Sequence, residues 1–453
     1  MTEASHSALG IRHSPLTSSR WLIAVLLAGT ILRIVVLPLG GTGDVTIWKV
    51  WSFGGAHNLT SMYGVGGSPP NQRVVHWNGE AMTVDYPPVA LFELALVGRA
   101  YEQWDPLYRD SRALNVFIKL PGLLFEIALL ALVLTWGRQR YGAAAARWAA
   151  MALWINPALV LNASVLGYLD PLMYVPLTVA AVAASAGGPG VAGACSAMAI
   201  LTKAQAIFVI PVVVSVVLCR SARRWRDLAT FAIAAAAIAA MVLTPFIVRG
   251  AWPNLVHALS RLAAHDMLSA QAANLWWIVT WLIRVVDSIR DWGWYRAVTQ
   301  EVRILQITAA MAAGYPNFRI IGLALVGVAT IFALWWTPRA RSLAGAAALA
   351  GWSAYAYAML GAQVHENHLI PAVPILAVAA ALDRRLRSVF WMVSIVAALN
   401  LYLFYGAIPG SPPLITRRTT VIDATVLLSV VNVAVFVWIT RLLLRSATPA
   451  TAR

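Results

Sequence analysis

The sequence predicts an all-α polytopic membrane protein, and three observations carry that expectation. Of its 453 residues 60% are apolar and only 11% charged. Its mean hydropathy is +0.72. Its apolar residues also come in runs approaching about 20, the length that crosses a hydrocarbon core. The net charge of +16 would suggest a nucleic-acid partner in a soluble protein. Here the arginines lie in short clusters between apolar runs, the pattern that fixes membrane orientation, so no nucleic acid is expected.

Residues 1–20 are polar, with Arg12 and Arg20, and read as a cytoplasmic tail. The apolar run that follows is long enough to span, which favours an uncleaved first helix over a signal peptide. A single membrane domain is expected over 21–444, and a second cytoplasmic tail over 445–453. Apolar runs fall at 21–39, 115–136, 144–162, 168–184, 189–202, 204–219, 228–248, 317–336, 342–361, 368–383, 388–406 and 422–444. They imply about 11 to 14 crossings, with the short runs broken or tilted. Basic clusters at 137–140, 220–226, 338–341, 384–387 and in RLLLR near the C-terminus belong on the cytoplasmic side. If residues 87–104 crossed, every later loop would invert, so they are expected as an interfacial or re-entrant helix in a first external loop over 40–114. By the same parity the second large external loop, 249–316, contributes no crossing or two, with 276–283 and 304–313 as candidates. Cys195 and Cys219 have neither metal-ligand spacing nor a disulfide role.

The 18 carboxylates sort by side. Asp44, Glu80, Asp85, Glu93, Glu102, Asp105 and Asp110 fall in the first external loop, and Asp170, Asp266 and Glu366 at or near external helix ends. Such a gathering suits acid–base work at the membrane face, and it is also what any long solvated loop carries. Asp44 stands out behind the Gly-rich GGTG turn, which lets the backbone approach a ligand; with 45–53 helical it is also a natural N-cap. Trp48 and Trp51 share a helix face, suited to interface anchoring or to a sugar pocket, with Lys49 turned away. Asp85 and Tyr86 precede Pro87 and Pro88, which force an extended approach and then permit a helix start.

Lys203 and Gln205 sit between two apolar runs with no acid near in sequence, which favours an anionic ligand. Asn274, Trp276 and Trp277 combine an amide with indoles, as sugar or interface contacts require. His365, Glu366 and His368 stand at the external start of a helix. Their spacing lacks the H-E-x-x-H arrangement, so no metal is expected, and imidazoles at a helix N-terminus suit an anionic group.

Taken together these stretches resemble the endoplasmic-reticulum glucosyltransferases of asparagine-linked glycan assembly, GT-C enzymes that take glucose from dolichyl-phosphate glucose. The resemblance is carried, in chain order, by Gly43-Asp44 with Trp51, by Asp85-Tyr86-Pro87-Pro88, and by Lys119 with Glu126. It continues through Lys203 with Gln205, Ala273-Asn274 with Trp276, and Gln363-Val364-His365-Glu366. The sequence departs from the family at Thr46, where the family has Glu, and is only loosely similar around Gly167, Tyr168, Leu169 and Asp170.

The resemblance implies a GT-C architecture and an inverting transfer of a hexose, glucose or mannose, from a polyprenyl-phosphate carrier. The acceptor is a hydroxyl on a glycolipid or lipid-linked glycan. It casts Asp44 as general base, with Lys203, Gln205 and His365 around the donor phosphate. Asp85, Tyr86, Trp51, Asn274, Trp276, Glu366 and Asp170 would surround sugar or acceptor, with no metal or other cofactor. The short loops and high Ala and Arg content suggest a bacterial homologue in the inner membrane, acting at the periplasmic face with an undecaprenyl or decaprenyl carrier. The alternative is a secondary transporter or a flippase of lipid-linked sugars. That class places ionisable groups at the membrane midplane in paired halves; here they cluster at one face and no halves match.

Overall fold

The computed structural model describes residues 19–67, 71–262, 264–406 and 421–446, so the two expected terminal tails fall almost wholly outside the described residues. Every expected apolar run within them is helical. Six helices are long and apolar enough to cross a membrane: Arg112–Tyr141, Arg224–Val248, Phe318–Arg339, Leu343–Leu360, Arg384–Tyr405 and Ala424–Leu444. Ala143–Trp154 and Pro157–Val165, bent by 41°, form a seventh if they act as one span. The bend has a local cause: Pro157 cannot donate into a continuing helix, and Asn156 instead caps the new one through Ala158 and Leu159. Shorter apolar helices occupy Pro171–Ala186, Pro189–Thr202, Ala204–Arg220 and Glu366–Leu382.

The first helix, α1 (Ser19–Val36), leads into the expected first loop, which holds α2 (Gly43–Asn58), β1 (Val74–Trp77), β2 (Glu80–Thr83) and α3 (Pro88–Trp104). The α2–α3 seam is made by small residues: a Cβ on Gly98 would lie 2.1 Å from the Ser52 carbonyl oxygen, and one on Gly55 3.2 Å from Ala95. That close approach lets Trp48, Trp51, Leu91, Leu94 and Tyr101 share one core. On the outward side α3 exposes Leu96 and Trp104, followed by Leu107, the pattern of a helix lying in the interface.

The strand pair qualifies the all-α expectation. Asn78 and Gly79 both adopt positive φ, 50° and 80°, as the tight two-residue hairpin turn demands. In the second loop, Leu275–Val298 carries Arg284, Asp287, Arg290 and Asp291 and kinks at Gly293, while Ile307–Ala312 is only six residues long. Neither is among the helices long and apolar enough to cross a membrane.

Next comes α4 (Arg112–Leu132), which ties the frame together through two buried charges. Lys119 Nζ donates to the carbonyls of Leu39, Ser164 and Val165 at 2.8, 3.1 and 2.8 Å. Glu126 accepts from Arg33 of α1 at 3.0 Å and from the Tyr174 hydroxyl at 2.6 Å. An unpaired charge at this depth would be costly, and both are fully engaged.

Candidate active site

The turn after α1 is built by backbone close approach. Gly41, at φ 78°, lies where a Cβ would come within 2.7 Å of the Leu166 carbonyl oxygen, and Gly167, also at φ 78°, meets Lys119. The expected closeness of the GGTG backbone to a ligand is instead closeness to the protein's own chain. The helix α2 begins two residues earlier than expected, with Thr42 at the N-cap position, so Asp44 is in the first turn rather than the cap. A carboxylate there is favoured by the helix dipole.

Asp44 faces a cavity of about 660 Å³. Trp48, Trp51, Asp85, Tyr86, Lys203, Gln205, His365 and Glu366 also line it. The chain brings them from four separate places, and specific local features position each. Extended Pro87 and helical Pro88 start α3 and turn Tyr86 back between the indoles of Trp48 and Trp51, at centroid distances of 4.9 and 5.7 Å. Lys203 is extended, at the break between Pro189–Thr202 and the turn Ala204–Phe208. A short pairing between the loops at 268–271 and 363–365 (Ala270 N to Val364 O, 2.9 Å; Gln363 N to Leu268 O, 3.1 Å) sets His365 beside His265.

Several expectations are corrected by this geometry. Lys203 has an acid after all: Asp170 lies 2.5 Å away and is fully buried, remote in sequence but adjacent in space. Asp170 is therefore behind the cavity wall as the partner of Lys203. Trp48 and Trp51 are each 1% exposed, which rules out interface anchoring for them. Asn274 is a helix cap, accepting from the Trp276 and Trp277 amides at 3.0 and 3.1 Å and donating to Ala358 O at 3.0 Å. The Trp276 indole is spent on Leu360 O at 2.7 Å, so this pair braces the loop outside the cavity lining. Glu366 lines the cavity with its carboxylate bound by the Tyr168 hydroxyl.

The site also includes residues that sequence reading passed over. His265, Phe208, Tyr357, Arg319 and Tyr405 line the same space. Phe208 stacks on Tyr357 at 4.1 Å, and Tyr405 donates to Gln271 at 2.9 Å. For Phe208, Tyr357 and Tyr405 the signal in the sequence is only an aromatic in or beside an apolar run, which membrane helices carry by the dozen.

Electrostatically the cavity is a low-dielectric cluster. Burial raises the Asp44 carboxyl above the ordinary 3.8; Lys203 opposes that shift, and Asp170 and Asp85 add to it. Burial likewise raises Asp85, against the pull of His265 and Arg261. His365 is pushed down to about 4 by burial, then by His265 and Lys203, so at neutral pH it is an uncharged imidazole. Three nitrogens in the lining, the indole nitrogens of Trp48 and Trp51 and the Gln205 amide, are buried without a hydrogen-bond partner. With no partner in the protein, each of these donors retains hydrogen-bonding capacity for a ligand that reaches it.

A polytopic helical protein with a carboxylate, a lysine and unpaired indole donors around one polar cavity defines a class, the membrane glycosyltransferases that use lipid-linked donors. The sequence profile of the ALG6, ALG8 glycosyltransferase family matches residues 71–451. The protein belongs to that family, and its multi-pass helical architecture is of the GT-C kind that the sequence resemblance implies. The match covers Asp85 through Glu366 and begins after Asp44.

No curated protein matches the sequence significantly. Among solved structures, the chain is similar to ArnT from Cupriavidus metallidurans bound to undecaprenyl phosphate, at 17% identity over 95% of this chain and 73% of ArnT, with a TM-score of 0.49. The apo state of that protein gives 15% identity over 94% and 76%, with a TM-score of 0.44. The apo Archaeoglobus fulgidus oligosaccharyltransferase gives 12% over 97% and 57%, with a TM-score of 0.42. At such scores the likeness decides neither fold nor function.

Proposed function

We propose that the protein transfers a hexose with inversion from a polyprenyl-phosphate carrier to a hydroxyl of a glycolipid or lipid-linked glycan. The observation that carries this reading is Asp44 and Lys203 lining one cavity, a half-buried carboxylate that shares it with a buried cation. Asp44 takes the proton of the acceptor hydroxyl as its oxygen attacks the anomeric carbon. The bond from that carbon to the phosphate oxygen breaks, and its electron pair leaves with the polyprenyl phosphate. Lys203, the neutral His365 as an N–H donor, and the Gln205 amide receive the departing phosphate, so the leaving group needs no separate acid. These groups supply the positive potential that a metal would otherwise provide, and no metal or other cofactor is part of the scheme.

Trp48 and Trp51 offer N–H groups to sugar hydroxyls, and Tyr86, Asp85 and Glu366 shape the pocket around them. Asp170 acts through Lys203, holding its ammonium in place. The protein is a bacterial inner-membrane enzyme in this reading, with the cavity on the periplasmic side, away from the arginine clusters. The test is transfer from a radiolabelled polyprenyl-phosphate hexose in membranes, wild type against Asp44→Asn. An undiminished rate in a well-folded variant removes Asp44 as the base.

A further inference from the structure

Helix Pro171–Ala186 starts beside Asp170, and its second half, from Thr178 to Ala186, lines a second cavity that begins roughly 12 Å along at about 1.5 Å per residue. This cavity has a volume of about 380 Å³. Its walls include Leu129, Ala149, Val182, Ala183 and Leu382, side chains from separate helices. Two hydroxyls lie in that wall. Thr178 is turned back onto the Tyr174 carbonyl at 2.7 Å, and Tyr141 is half-buried with its hydroxyl enclosed beside Arg140. An apolar void of this kind does not hold water. Its rim residues Leu132, Trp136 and Val191 are exposed on the outer surface of the helices, where the surrounding solvent is lipid chain.

The charge at the mouth selects among lipids. Arg138 and Arg140 follow directly on the rim, are exposed, and make no ion pair among the described residues. Arg140 and Arg220 are the cations acting on the Tyr141 hydroxyl. Arg220 is committed to the carbonyls of Ser185, Ala340 and Ser342; Arg140 reaches the Tyr141 hydroxyl with part of its guanidinium and keeps its remaining N–H groups, with Arg138, for a ligand. The acid adjoining the cavity, Asp383, is held by Arg385 at 2.8 Å.

We propose that this cavity holds one acyl chain of an anionic phospholipid from the arginine-rich leaflet, with the lipid phosphate at Arg138 and Arg140. The chain fills the apolar space, and the two guanidinium groups set the preference for a negative headgroup.

The test is native mass spectrometry of the full-length protein titrated with phosphatidylglycerol or phosphatidylcholine of identical chains. Phosphatidylglycerol is expected to bind the tighter. The double variant R138Q/R140Q should weaken it about thirtyfold and weaken phosphatidylcholine much less, since the choline cation already offsets its phosphate. Ala183→Phe, which fills the cavity, should abolish the tight binding; if that variant does not fold, the surface double variant decides alone. Equal binding of the two lipids, or wild-type affinity in R138Q/R140Q or in folded Ala183→Phe, overturns the proposal. Competitive displacement of phosphatidylglycerol by undecaprenyl phosphate also overturns it, since the occupant would then be the carrier.

Discussion

The two cavities at opposite ends of helix Pro171–Ala186 were made by the same kind of chain and share almost no chemistry. The one that opens beside Asp44 is lined by carboxylates, imidazoles, a lysine and indoles with unpaired N–H groups. The one at the arginine-rich end is walled by leucine, valine and alanine. Both are enclosed by helices of similar apolar content, so composition does not separate them. What separates them is where the helices break. Beside Asp44 the chain is interrupted at Gly41, Gly167, Lys203 and 361–371, and each interruption delivers a polar side chain or a backbone group. Irregular backbone at such a depth persists only where it is buried in protein or lines a cavity.

That contrast can be tested hardest at Asp44. Asp44→Asn should lower turnover about 10²- to 10⁴-fold, the usual contribution of a positioned base. The same variant should melt at an unchanged or higher temperature. The sign follows from burial: the carboxyl is raised in the folded protein, so its contribution to stability is complete below the unfolded value and lost as pH rises through the folded one. At neutral pH the native charge is a cost that asparagine removes. An Asp44→Asn variant that is both inactive and much less stable would make Asp44 structural and erase the distinction between the two cavities.

Lys203→Ala ranks next. It leaves Asp170 buried without its cation, and removing one member of such a pair costs about 3–5 kcal/mol. Thermal unfolding should register that loss, with a raised KM for the donor in whatever fraction folds. Lys203→Ala with unaltered stability would mean that the ion pair is not closed in solution.

Trp51→Phe keeps an aromatic ring but deletes the unpaired N–H donor and part of the indole's volume. A lost hydrogen bond of about 0.5–1.5 kcal/mol predicts a two- to tenfold fall in kcat/KM, beside a lowered melting temperature from the lost packing of a side chain 1% exposed. A purely packing role for Trp51 would lower the melting temperature and leave kcat/KM of the folded variant unchanged.

The smallest effect is expected from pH at His365. With its pKa near 4 the imidazole stays neutral through the physiological range, so donor KM should be flat from about pH 6 to about pH 8. Turnover should instead rise with pH through the elevated Asp44 pKa. A step in donor KM near neutrality, absent from His365→Gln, would show that the imidazole binds phosphate as a cation.

Much of the molecule was readable in the chain. The helical runs were legible because each carries its own hydrophobic length. Parity of the arginine clusters gave the expectation that residues 87–104 do not cross, and they form a helix packed on α2. Motif order brought Asp44, Asp85, Lys203 and His365 onto one candidate site, and the structure does gather them in one cavity. Three misreadings were of one kind. Lys203 looked unpaired because Asp170 is 33 residues away, and Asn274 with Trp276 looked like sugar contacts because their hydrogen-bond partners, Ala358 and Leu360, are 84 residues distant. Trp48 and Trp51 looked like interface anchors because nothing local reveals that α3 will cover them.

The sequence by itself determined which segments prefer lipid, which side the arginines occupy and which side chains carry chemistry, since each is a property of a residue and its near neighbours. Only the tertiary structure decided which of those side chains face empty space and which are already satisfied. A buried polar group is defined by its partner, and in this protein the partners come from across the fold.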